Sequence, residues 1–368
     1  MNFDFSAEVK MMGEEARRFL SDRGAIRSLR RLYDSDEPFD RGLWQAIAEM
    51  GWLGAIVPEE HGGSALGYEA LCILAGEIGA ALPPLPFAAT SYFVIDTLVR
   101  SGSEAQKSEY LPRLAAGELT GTFALAEGLG NPSPKAIEAR VERGRLTGVK
   151  QPVVYGAVAD LAVVVAVDET DEPGLKLVDL TAGGVERHPI ETFDRSRREA
   201  TLRFNDAPCH PLGEGGWGDV LRALDRAAIL LAFEQVGGAQ ACLDMARDYA
   251  LERYAFGRPI GSFQAIKHKL ADVYVALELA RAHCYYGAWA LETGSAELPV
   301  AAAAARVAAS EAYHQASKEN IQTHGGMGIT WELDCHFYYR RAKSLSLELG
   351  SPGFWKDRLI GAIEAARE

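Results

Sequence analysis

Three long runs near the C-terminal end, at 220–253, 263–292 and 298–323, carry apolar residues at helical spacing and constrain the fold more than any other feature. Strands are usually only about 5–6 residues long, so runs of this length are helices. Each has an apolar stripe that must be buried against a neighbour. Short glycine-bearing turns between them predict antiparallel neighbours in a bundle, completed by shorter helical patterns at 334–349 and 353–366. Gly294-Ser295 and Gly325-Gly326 stand where C-caps belong. The alanine run Ala301–Ala305 suits close helix packing.

Upstream the pattern changes twice. Residues 1–118 alternate helical patterns, at 7–21, 41–50, 68–78 and 90–101, with breaks at Pro58-Glu59-Glu60-His61-Gly62-Gly63 and Leu82-Pro83-Pro84-Leu85-Pro86. From Gly121 to Leu212 the runs are short and β-branched, at 121–126, 145–154, 161–166, 175–180 and 200–204, which predicts a small antiparallel sheet or barrel. Gly213-Glu214-Gly215-Gly216 reads as the linker out of it. The expected architecture is mainly α with a β middle domain: an N-terminal helical domain at 1–118, a β-domain at 119–212 and a C-terminal helical bundle at 213–368.

A chain of 368 residues exceeds one typical core. Its net charge of −13 argues against nucleic acid, which requires a concentrated basic surface. The N-terminal stretch has scattered acids and no apolar segment of signal-peptide length, and no apolar run reaches membrane-spanning length, so a cytoplasmic protein is expected. Cys72, Cys209, Cys242, Cys284 and Cys335 are odd in number and unclustered, the pattern of buried thiols rather than disulfides or metal ligands.

Two glycine-bearing elements interrupt the helical region: Arg253-x-x-Phe256-Gly257-Arg258-Pro259-Ile260-x-x-Phe263-Gln264 and Gln322-x-x-Gly325-Gly326-x-Gly328. Arg253 offers a planar fork for phosphate and Phe256 a face for an aromatic ring. Gln264 and Gln322 add neutral donors and acceptors, and the glycines admit close backbone approach. The combination suits a large phosphorylated aromatic cofactor.

These elements resemble the C-terminal FAD signatures of the acyl-CoA dehydrogenase family, and the resemblance runs through nearly the whole chain. It implies the fold of that family, with FAD lying between the sheet of one subunit and the C-terminal bundle of another, and hence an obligate dimer, usually a dimer of dimers. It implies desaturation of an acyl-CoA substrate: a carboxylate removes the α-proton while a hydride leaves for the flavin, with an electron-transfer flavoprotein as the usual acceptor. By motif, Arg253, Phe256, Gln264, Gln322, Gly325 and Gly326 contact the neighbouring subunit's FAD, and Asp225 matches a residue on the CoA side.

The chain departs from the family's pattern in three places. The run whose hydroxyls bind the flavin becomes Ala126-Glu127-Gly128-Leu129-Gly130-Asn131-Pro132-Ser133, with both hydroxyl positions changed, at Ala126 and Asn131. The segment that brings a threonine to the flavin's reactive edge becomes Lys150-Gln151-Pro152-Val153-Val154-Tyr155. The usual catalytic glutamate falls at Ser351, and the alternative position used by a minority of relatives falls at Ala227, followed by Ala228 in place of a CoA-binding arginine. Glu234, two turns beyond Ala227 in an apolar run, is the remaining candidate base, with an interhelical hydrogen bond as its competing role. Four assemblies follow: a base-lacking subunit that completes a paralogue's FAD site, a homotetrameric dehydrogenase using Glu234 or another base, a flavoprotein of this fold that does not dehydrogenate, and a structural subunit.

Overall fold

The computed structural model describes residues 4–365. The helices are α1 (Ala7–Asp22), α2 (Ala25–Leu32), α3 (Arg41–Glu49), α4 (Tyr68–Ala81), α5 (Asp96–Ser101) and α6 (Glu104–Ala115), then α7 (Trp217–Glu252), α8 (Gln264–Thr293), α9 (Leu298–His324), α10 (Cys335–Leu347) and α11 (Pro352–Ala365). Eight strands lie between the two groups: β1 (Gly121–Ala124), β2 (Arg140–Glu142), β3 (Arg145–Val154), β4 (Leu161–Val167), β5 (Pro173–Asp179), β6 (Val185–Ile190), β7 (Glu199–Pro208) and β8 (His210–Leu212). The mainly α architecture with a β middle region is therefore present.

Capping chemistry sets several boundaries. Ser6 accepts from the Val9 amide at the start of α1, Asp40 from the Leu43 amide at the start of α3, and Ser103 with Gln106 forms a reciprocal capping box on α6. Gly294 ends α8 in the left-handed conformation at φ 62°, as its glycine predicts. Helices α2 and α6 lie outside the helical runs expected from the sequence; α2 spans two turns and buries Ala25, Ser28, Leu29 and Leu32 at helical spacing, with a serine among its inward positions.

The chain forms two compact units. One contains the segment ending at Arg27, Cys72–Pro83 and the chain from Ala228 onward; the other contains Ser28–Leu71 and Pro84–Ala227. The first is the helical bundle. Its helices α4 and α7 meet through glycine, and a Cβ on Gly237 would lie 1.8 Å from the Gly76 carbonyl oxygen. Its cysteines 72, 242, 284 and 335, like Cys209 in the other unit, are buried thiols, as expected.

The second unit contains the sheet, in the order β6-β7-β3-β2-β4-β5-β8, with β1 beside β4. Most pairs are antiparallel, but β1 runs parallel to β4, so the purely antiparallel expectation needs correcting. The long connection between β1 and β4 supplies the crossover that parallel pairing requires. Strand β4 is buried along its whole length, and its inward residues Ala162, Val164 and Ala166 form the sheet's core with Leu146, Leu202 and Phe204. Strand β6, with the exposed sequence Val-Glu-Arg-His-Pro-Ile, was missed because it lacks an apolar alternation.

Candidate functional site

In the bundle, the two glycine elements come together at one end. Arg253 follows the last residue of α7, and its carbonyl accepts from the Ile260 amide, closing a tight hairpin in which Tyr254–Ala255 pairs with Arg258–Pro259. Phe256 and Gly257 at its tip both have positive φ, 54° and 76°. The end of α9 reaches the same place: Tyr249 of α7 stacks on His324 with ring centroids 4.2 Å apart, and His324 Nδ1 lies 2.9 Å from the Asn320 carbonyl oxygen. His324 thus shapes the turn that presents Gly325 and Gly326.

The side chains at this end point to solvent. Arg253, Gln264, Gln322, Gly325 and Gly326 are exposed, and Phe256 is 95% exposed. Such an aromatic is organised rather than loose, because Phe256 meets Phe263 edge-on and Arg258 lies 4.1 Å from the centroid of the Phe263 ring. Phe263 gives no side-chain cap to α8, so the first amides of that helix remain available to an anion. A Cβ on Gly325, Gly326 or Gly257 would meet nothing within 4 Å, so the backbone here is an open cradle. Guanidinium, helix amides and exposed aromatic together suit a phosphorylated ligand that carries an aromatic ring.

In the sheet unit, the 126–133 segment that departs from the expected hydroxyl-bearing run is held by its own contacts. Backbone pairing between Ala126, Gly128 and Gln151 stitches the 126–128 segment to β3, with N–H···O distances of 2.8 Å. Glu127 anchors it: its carboxylate accepts from Lys150 Nζ at 2.5 Å and from the Glu138 and Ala139 amides at 2.8 and 3.1 Å. Lys150 is fully buried, and burial brings its ammonium down to about 8, with Glu127 pulling in the opposite direction. The side chains of Ala126 and Val154 carry no donor, and Ser133 Oγ accepts from the Lys135 amide at 3.3 Å.

Asp225, in the same unit, is 3% exposed. Beside it, Arg226 forms a buried pair with Asp96 at 2.9 Å and lies over the Tyr68 ring, whose hydroxyl donates to Asp96 at 2.7 Å. Burial, reinforced by Asp96, pushes the Tyr68 phenol well above its ordinary range. This triad was invisible in the sequence because its members lie on separate segments.

The positions expected to carry a base hold none. Ser351 accepts from the Phe354 amide at 3.2 Å and caps α11, with Pro352 as the first helical residue. Ala227 is fully buried. Glu234 lies inside the bundle at 2% exposure and accepts from Arg341 Nη1 at 3.2 Å. A second buried cation, Arg306, donates to Gln235 Oε1 at 2.5 Å and to the carbonyls of Leu345 and Glu348, tying the end of α10 and the approach to Ser351 into the core. Arg306 went unremarked in the sequence because it follows an alanine run that reads as packing surface.

Models of the acyl-CoA dehydrogenase N-terminal and C-terminal domains match residues 6–118 and 214–355. The chain belongs to the acyl-CoA dehydrogenase family. The acyl-CoA dehydrogenase IpdE2 of Mycobacterium tuberculosis is 33% identical over 354 residues, covering 94% of each chain. A chain of the Tcur3481–Tcur3483 steroid ACAD superposes with a TM-score of 0.90 at 31% identity, covering 98% of this chain and 99% of that one. A chain of the ChsE4–ChsE5 complex of Mycobacterium tuberculosis gives 0.90 at 25% identity, covering 99% of both. Acyl-CoA dehydrogenases are FAD-dependent oxidoreductases acting on CH–CH bonds. No helix among the described residues is long and apolar enough to cross a membrane.

Proposed function

We propose that this chain is the base-lacking subunit of a heteromeric acyl-CoA dehydrogenase, and that it completes a flavin site resting chiefly on a paralogous partner. One contrast carries the reading. Arg253, Phe256, Gln264, Gln322, Gly325 and Gly326 form an ordered, solvent-facing cradle, whereas Ser351, at the family's base position, is committed to capping α11.

FAD, when bound, supplies the hydride acceptor. Toward it, Arg253 and the amides at the start of α8 neutralise and orient phosphate, Phe256 covers a ring face and excludes water, and the Gln322 turn lets backbone approach. Proton abstraction is left to the partner's carboxylate. Glu234 serves the bundle through Arg341, and Asp225 is assigned to the CoA side by motif alone. The exposed apolar residues Tyr274, Val275 and Leu279 on α8 and Ile329 beyond the glycine turn extend the cradle into a surface suited to a subunit contact. Two relatives whose names denote paired chains, one of them a steroid ACAD, support a heteromer acting on a bulky acyl-CoA; a dimer of dimers with an electron-transfer flavoprotein as acceptor follows from the family resemblance alone.

Co-expression with acyl-CoA dehydrogenase paralogues from the same genome tests the reading. The expected result is a colourless chain when expressed alone and a yellow complex with one FAD per pair, bleached by an acyl-CoA. One FAD per chain in the isolated protein, bleached by substrate, overturns it in favour of the homotetramer.

A further inference from the structure

Within the bundle unit, α1, α4, α7 and α8 enclose a cavity of about 790 Å³, within the range of small-molecule sites. Its floor is the close crossing of α4 and α7, where Gly76 and Gly237 bring the two backbones together and Ala80 and Ala241 present only methyl groups. Its walls are apolar, with Leu20, Ile73, Phe233, Val236 and Tyr285. The exposed cradle described above contributes none of these residues.

The charges at its rim are unequal. Both acids are answered: Glu77 accepts from Arg17 Nε and Nη2 at 3.0 and 2.7 Å, and Asp244 accepts from Arg247 at 2.8 Å and Gln240 at 3.1 Å. The cations keep spare donors. Arg281 uses Nε on Glu278 and Nη2 on Gln240, which leaves Nη1, and Arg17 likewise keeps Nη1. Arg27 makes no hydrogen bond or ion pair among the described residues; its guanidinium folds over Gly24, where a Cβ would lie 2.7 Å from Nε. Three guanidiniums with unspent N–H groups at the mouth of an apolar cavity are the exception in a chain of net charge −13.

We infer that this cavity binds an amphipathic carboxylate, a free acid whose apolar body lies among the walls and whose anionic head is held by Arg27 and Arg281. A guanidinium fork matches a carboxylate, and a desolvated apolar body supplies the affinity. The site goes beyond the proposed subunit role and does not depend on it, since none of its lining residues belongs to the cradle or is Glu234 or Ser351.

Titrating the full-length, flavin-free chain with dansyl-undecanoate and following the dye's fluorescence tests the inference. The expected result is saturable binding at one site per chain, weakened about tenfold by Arg27→Ala and further by Arg281→Ala, the scale of a lost charge-assisted hydrogen bond. Val236→Phe, which fills the cavity, should abolish it. The matching neutral alcohol, dansyl-undecanol, should bind at least about tenfold more weakly. Absence of saturable binding, equal binding of acid and alcohol, or an unchanged Arg27→Ala variant overturns the inference. Arg27 is exposed, so that variant keeps the fold and decides the matter even where Val236→Phe does not fold.

Discussion

The Glu234–Arg341 pair separates a structural role for Glu234 from a catalytic one. Both side chains are almost wholly buried, at 2% and 4% exposure, and the carboxylate accepts from Nη1 at 3.2 Å. Removing one partner strands the other charge in the bundle, which costs about 3–5 kcal/mol. Replacing both with apolar residues of similar volume is often neutral or stabilising. Arg341→Met and Glu234→Gln should therefore each be destabilised by about 3–5 kcal/mol, and the double replacement by methionine by far less than their sum. With a denaturant slope of about 3 kcal/mol per M urea, each single variant loses about 1–2 M from its midpoint. Tryptophan fluorescence of the isolated chain in urea measures the midpoints, and flavin bleaching by an acyl-CoA in the co-purified assembly measures chemistry. Glu234→Gln should unfold earlier yet bleach normally once folded. Unchanged stability together with lost bleaching would refute the structural argument and make Glu234 the base.

Three further outcomes follow from the same contacts. Gly237→Ala places a methyl 1.8 Å from the Gly76 carbonyl and should cost at least about 1–3 kcal/mol, read as a lower thermal midpoint. Arg253→Ala should leave the stability of the isolated chain unchanged, because the side chain is exposed, while lowering the FAD retained by the co-purified complex, measured from the flavin absorbance after gel filtration. Asp168, hydrogen-bonded by the Thr170 hydroxyl and amide and by Lys176, is lowered from 3.8 to about 2. Its stabilising contribution is full above 3.8 and lost as pH falls through about 2, so Asp168→Asn should flatten the acid limb of stability against pH over that window.

Periodicity and motif spacing were enough to place the long helices, the β-rich middle and the glycine-bearing hairpin and turn at the end of the bundle, because those features are local. A helical stripe repeats every few residues, and Arg253 to Gln264 is one continuous hairpin and helix start. The absence of a carboxylate at Ser351 was also legible, as were the lost hydroxyls at Ala126 and Val154, since a missing functional group needs no coordinates to be noticed.

Tertiary structure alone decided what the remaining groups do instead. Ser351 caps a helix, Glu127 and Lys150 clamp the 126–128 loop to β3, and Glu234 meets Arg341 on a helix far along the chain. The surplus of guanidiniums over the cavity likewise appears only once each acid has been matched with its partner. In each case the deciding contact joins distant segments: charge and hydrogen-bonding capacity are written in the residue type, but whether they are spent or available depends on which side chains folding brings within about 3 Å.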